Sequence, residues 1–224
     1  TRDERERSIA EQGCSPVAYM DKLGILDANT LVVHAVWVDP ADIDILAAAG
    51  ARVSHNPESN MKLSSGIAPV PQMIAVGMTV GMGTDGSASN NNMDLFTEMD
   101  MAAKLHKVKS MDPTVMDALT VLKMATIEGA RALGLANRIG SLEPGKDADV
   151  ILIDTRQPHL TPLYHPASHL VYAARGGDVS TSIINGQIVM ENRELRTLDR
   201  ERVMEDVHRL ARAICAELPD AVGR

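Results

Sequence analysis

Apolar positions along this chain come in short runs that alternate with amphipathic stretches. After a helical segment around SPVAYMDKLG (15–24), the continuous run TLVVHAVWV (30–38) reads as a buried strand. DPADIDILAAAG (39–50) then has helical spacing: Asp39 can cap, Pro40 suits the first helical position, Ile43, Leu46 and Ala47 share a face, and Gly50 can stop it. The pattern repeats with a short strand ARVSH (51–55), a helix APVPQMIAVG (68–77) and an apolar strand ending in a turn, MTVGMGTDG (78–86). Strands alternating with helices predict parallel pairing in an α/β fold.

Two longer helical segments follow, over roughly 92–108 and 114–133, the second ending at Gly134. Beyond them the period changes. DADVILID (147–154) and VSTSIINGQIVMENREL (179–195) alternate as strands do, and Asn185-Gly186 is a two-residue hairpin signal. Residues Asp199–Leu218 predict a terminal helix. The division expected from this pattern is an α/β part over 1–140, a small β segment over 141–198 and a C-terminal helical segment over 199–224.

Composition narrows the partners. The 224 residues are 45% apolar, enough for a packed core, and carry a formal charge of −8, which argues against a nucleic-acid or anionic-membrane surface and for a small-molecule partner. Aromatic residues are scarce, with one Trp, one Phe and three Tyr, so no stacking platform for single strands is expected. The two cysteines, Cys14 and Cys215, stand far apart, which suggests neither a disulfide framework nor a Cys-based zinc site and makes a reducing cytoplasm the simplest compartment. No apolar run is long enough to span a membrane, and TRDERERSIAEQG has no signal-peptide core. The same opening, without an initiator Met, reads as the middle of a longer product.

Three consecutive strand ends carry His34, His55 and Asp85, and the polar stretch 56–66 can fold over them. In a (β/α) barrel the C-terminal ends of the strands are where active sites are built. Each residue also has a structural reading: Asp85 as an Asx-turn or cap, His34 as a hydrogen-bonded core histidine, His55 as part of the Asn56-Pro57 turn. His106 on a helix beside Lys104 and Lys107, the spread-out His159, His165 and His169, and His208 on the terminal helix read as structural or solvated. So does the charge run at 2–7.

HAVWVD, SHNPESNMKLSSGIAPV and GTDGSASNNNMDLFTEM together resemble the amidohydrolase superfamily, more closely its methylthioadenosine and S-adenosylhomocysteine deaminase group, with triazine hydrolases and guanine deaminases as relatives. MATIEGARALGL, IGSLEPGKDADVILID and IINGQIVMENREL extend the likeness through nearly the whole chain. The resemblance implies the C-terminal part of a TIM (β/α)8 barrel, its sixth to eighth strands, followed by strands of a small β-sandwich domain. It implies that Asp85 is a metal ligand and the proton acceptor, and that His34 orients or polarises substrate and water. His55, Asn56 and Asn60 would line the substrate. It also implies one divalent metal, zinc before iron, and deamination of an aminopurine nucleoside. The alternatives are triazine dechlorination, guanine deamination, or a catalytically empty binding or structural module.

The resemblance places the family's H-x-H pair, its strand-five His and the Glu of the H-x-x-E that follows on segments this sequence does not contain, and TRDERERS resembles the segment just after that Glu. The expected partner is therefore an N-terminal half of the same enzyme, since three barrel strands alone leave two open edges, and the resemblance implies a homo-oligomer besides.

Overall fold

The computed structural model describes residues 1–218, so residues 219–224 of the expected C-terminal segment lie outside the described residues. Two compact units divide them: Thr1–Asp147 with Thr155–Asp178, and Ala148–Asp154 with the residues from Val179 onward.

The first unit opens with α1 (Arg2–Gln12), whose Thr1 capping box and Gly13 end enclose a charged stretch with no buried residue, as its composition predicts. It continues through α2 (Pro16–Lys22), β1 (Leu31–Val33), α3 (Pro40–Ala48), β2 (Arg52–His55), α4 (Pro57–Lys62), α5 (Val70–Ala75) and β3 (Val80–Met82). Asp39 and Asp42 form a capping box at the start of α3, where Pro40 was expected to open the helix. The three strands form one parallel sheet in the order β1-β2-β3, with Val32 opposite Val53 and Val53 opposite Val80. Parallel register aligns their C-terminal ends on one edge, and that alignment gathers the polar residues.

Short α6 (Ser87–Asn90) leads to α7 (Leu95–Ser110), α8 (Ala118–Met124) and α9 (Ile127–Ala132). The single helix expected over 114–133 is broken at Thr126, whose hydroxyl donates to the Leu122 carbonyl and whose backbone (φ −128°, ψ −101°) is not helical. Leu46, Val53, Val70, Met73, Ala102, Ala103 and Val121 are wholly buried, and with Met99 and Met124 they fill a core that has almost no aromatic side chains.

The segment 155–178 returns to this unit and does not stay with the β segment in which the 141 boundary placed it. Its helix α10 (Pro166–Tyr172) packs on α7 and α8, burying Val171 and Ala174, and Asp94 accepts the Gly176 N–H at 2.9 Å. Periodicity cannot reveal this docking, because it depends on which neighbours α10 meets.

The second unit is an antiparallel sheet of β4 (Val150–Ile153), β5 (Val179–Ile184), β6 (Gln187–Glu191) and β7 (Glu194–Leu195), followed by α11 (Arg200–Glu217). β5 and β6 meet through Asn185 and Gly186 at φ 48° and 75°, the left-handed pair that a two-residue hairpin demands. Asp199 caps α11, accepting the Arg202 N–H at 3.0 Å. No helix among the described residues is long and apolar enough to cross a membrane.

Candidate functional site

At the aligned strand ends, His34 follows β1 directly and Asp85 lies three residues beyond β3. Both take the left-handed backbone region, His34 at φ 72° and Asp85 at φ 62°, with Ala35 beside them at φ 45°. Non-glycine residues pay roughly 1–3 kcal/mol for such backbone, and it persists where surroundings over-determine it, commonly at functional sites. Here it turns the two side chains toward each other: His34 Nε2 lies 3.8 Å from Asp85 Oδ2.

Each is held by α4. Ser59 Oγ donates to Asp85 Oδ2 at 2.6 Å, and Asp85 Oδ1 accepts the Gly86 N–H at 2.7 Å. These hydrogen bonds, Ser59's foremost, hold the Asp85 carboxyl down at about 2, so it is ionised at neutral pH. Asn60 Oδ1 stands 2.9 Å from His34 Nδ1. With that oxygen facing the ring, Nδ1 carries the proton and Nε2 is left free toward Asp85. A cleft of about 320 Å³ opens over the pair, lined among others by Trp37, Ser59, Asn60 and Leu63.

Of the five residues singled out in the sequence, His34, Asn60 and Asp85 thus converge. His55 and Asn56, expected to line the substrate, face the interior instead. His55 is completely buried, its Nε2 3.1 Å from His106 Nε2 on α7. It lies on β2, the central strand, and its side chain points to the helix layer. Asn56 is buried at the end of the same strand, where its amide nitrogen, in the orientation that satisfies the group, donates to the His55 and Gly83 carbonyls at 3.1 Å each. It ties β2 to the turn after β3.

The polar stretch 56–66 is in part helical, because Pro57 opens α4 at its first position. α4 is the clamp that carries Ser59 and Asn60. Sequence reasoning missed Ser59 and Glu98, and read His106 as structural or solvated without its partner His55. Glu98 and His106 share one face of α7 with Met99, Ala102 and Ala103, and that i, i+1, i+4, i+5, i+8 spacing was the available signal.

A carboxylate and an imidazole nitrogen aimed at one point are donors that a borderline divalent ion accepts, so the pair fits part of a metal site. No group of three or more His, Cys, Asp or Glu able to hold a metal occurs among the described residues.

Residues 1–189 match the amidohydrolase family model. The chain is 53% identical over 94% of its length to a 5-methylthioadenosine/S-adenosylhomocysteine deaminase of Syntrophobacter fumaroxidans, covering 48% of that protein. It is 47% identical over 96% of its length to a 5'-deoxyadenosine deaminase of Methanothermobacter thermautotrophicus, covering 50% of it. Among solved structures, a zinc-bound adenosine deaminase from Xanthomonas campestris superposes with a TM-score of 0.94 at 38% identity, over 96% of this chain and 49% of that one. A zinc complex of atrazine chlorohydrolase from Arthrobacter aurescens gives 0.85 at 27% identity, over 92% of this chain and 46% of that one. The chain spans about half the length of the curated relatives it matches.

Proposed function

The chain belongs to the amidohydrolase family, and on that premise we propose that it is the C-terminal part of an enzyme that hydrolytically deaminates an adenosine-type nucleoside. The observation that carries the reading is the approach of His34 Nε2 to Asp85 Oδ2 at the ends of β1 and β3, in a chain about half identical to proteins named as such deaminases. The parallel sheet would be the sixth to eighth strands of a TIM barrel, which an N-terminal half completes. That half would bring the remaining metal ligands and the acidic residue that protonates the purine ring. Methylthioadenosine and S-adenosylhomocysteine are the substrates of choice, and the complete enzyme would assemble as a homo-oligomer.

The chemistry assigns each residue a task. A divalent ion, zinc or iron, would supply the acidification of the attacking water. Asp85, ionised and held by Ser59 and the Gly86 N–H, would be one of its ligands and accept the proton that water loses. His34, fixed through Nδ1 by Asn60, presents its unprotonated Nε2 to the same point, where it would accept a hydrogen bond from the water and so orient it. The amino group leaves as ammonia.

Ammonia release from methylthioadenosine, S-adenosylhomocysteine and 5'-deoxyadenosine by the full-length protein tests this. Asp85→Asn should reduce kcat by roughly 10²–10³-fold, on the order of losing a principal electrostatic group. Turnover that survives the substitution would reject the assignment of Asp85, and a full-length protein that releases no ammonia from any of the three nucleosides would favour a binding or structural module. The likeness to atrazine chlorohydrolase supports a second reading, hydrolytic dechlorination, which chloride release without ammonia would single out.

A further inference from the structure

Glu98, in the first turn of α7, is completely buried and has no part in the chemistry above. Its two carboxylate oxygens reach in different directions. Oε2 accepts the backbone N–H of Glu58 at 3.1 Å, one of the donors that the start of α4 leaves without a helical partner. Oε1 accepts from Asn90 Nδ2 at 2.6 Å, and the same amide nitrogen donates to the Thr84 carbonyl at 2.7 Å.

Following the chain outward from each oxygen leads to one residue. Glu58 precedes Ser59, whose hydroxyl donates to Asp85. Thr84 precedes Asp85 itself. Asp85 therefore closes a ring of contacts that runs from Glu98 through Glu58 and Ser59 on one side, and through Asn90 and Thr84 on the other. Asn92 braces the ring by donating to Glu58 Oε2 at 2.8 Å, and Lys62 of α4 donates to the Asn91 side chain and to the Ala88 carbonyl. Asp85 needs such bracing, because its backbone takes the left-handed region, where a residue other than glycine persists only if its surroundings hold it.

We propose that Glu98 is a positioning residue for Asp85: a buried carboxylate that clamps α4 to the 84–92 segment and thereby fixes where the Asp85 carboxylate points. In its ionised form the carboxylate suits the place because it accepts on both oxygens; an amide of the same shape must turn an N–H₂ toward one of the two donors. The proposal rests on the reading of Asp85 as metal ligand and proton acceptor.

Glu98→Gln in the full-length, metal-loaded enzyme tests it. Kcat is expected to fall about 10- to 100-fold, the usual effect of losing a group that orients a ligand, with KM nearly unchanged. Hydrogen exchange should quicken in residues 57–62 and 84–92 and stay slow in β2. Ser59→Ala acts on the same carboxylate, so the two substitutions combined should cost clearly less than the product of their separate effects. A variant that merely melts earlier, with wild-type kcat and exchange in its folded form, overturns the proposal; so does strict additivity with Ser59→Ala. If Glu98→Gln does not fold, Asn90→Ala breaks the ring at its other limb and is read in the same way. The exchange comparison needs no substrate, so a wild-type enzyme that deaminates nothing would reject the proposed function and leave the ring to be judged separately.

Discussion

His55 and His106 meet Nε2 to Nε2 with their ring centroids 5.1 Å apart, and neither Nδ1 has a partner among the described residues. Two neutral rings can share one hydrogen bond, but a proton added to either has no water to solvate it. Burial foremost pushes both down, His55 to about 3 with His106 and His34 adding to it, and His106 to about 4 with Lys109 adding to it. The unfolded chain therefore binds more protons than the folded one below the ordinary histidine pKa, and stability falls as pH drops from 6.5 toward 4. Both imidazoles should therefore contribute to a loss of stability between pH 7 and pH 5. Glu98 works in the opposite sense. Burial raises its carboxyl to about 7, so the folded state holds a proton that the unfolded state gives up, and its contribution weakens as pH rises from 4.5 through 7. Urea unfolding of the metal-free protein should show a lower midpoint at pH 5 than at pH 7, and Glu98→Gln should steepen that loss. Equal midpoints at the two pH values would contradict the buried pair.

At the level of elements, the site depends on how closely the ends of β2 and β3 approach. Gly83 allows that approach: a Cβ built there lies 2.7 Å from the Asn56 side-chain amide and 3.1 Å from Ser54 Oγ. Gly83→Ala must displace Asn56 from between the strands, and overpacking of this kind costs about 1–3 kcal/mol. The expected result is a lower Tm and, because Asp85 is two residues away, a drop in activity. A variant with wild-type Tm and kcat would mean that the strand ends tolerate separation. The elements themselves were largely legible in the sequence. Pro40 and Asp39 announced α3, Asn185-Gly186 announced the β5–β6 turn, and the charge run announced α1 as a solvated helix. α4 was not legible, because a six-residue helix rich in polar side chains has no apolar stripe and reads as loop.

For the whole molecule, the three-stranded sheet has β1 on one side and β3 on the other with no further strand beside them among the described residues, and Leu31 and Val33 of β1 are exposed. Unpaired parallel edges with apolar side chains are templates for association. Expressed alone, the 224 residues should form soluble aggregates or higher oligomers, whereas coexpression with the rest of a full-length amidohydrolase should yield a defined complex. Size-exclusion chromatography with light scattering distinguishes these outcomes; a monomeric chain that unfolds cooperatively would refute the expectation that another polypeptide completes the sheet.

The sequence by itself determined what is local: the alternation of strands and helices, the caps and the hairpin, and the position of His34 and Asp85 at strand ends, together with motifs specific enough to indicate the family. Only the tertiary structure decided which of the polar residues face one another. His55 and His106 are 51 positions apart, Glu58 and Glu98 are 40, and α10 returns to α7 across more than 50 residues. Periodicity tells which face of an element is buried, but the direction of strand pairing and helix packing selects the partner, and that choice turned His55 inward and brought Glu98 behind Asp85.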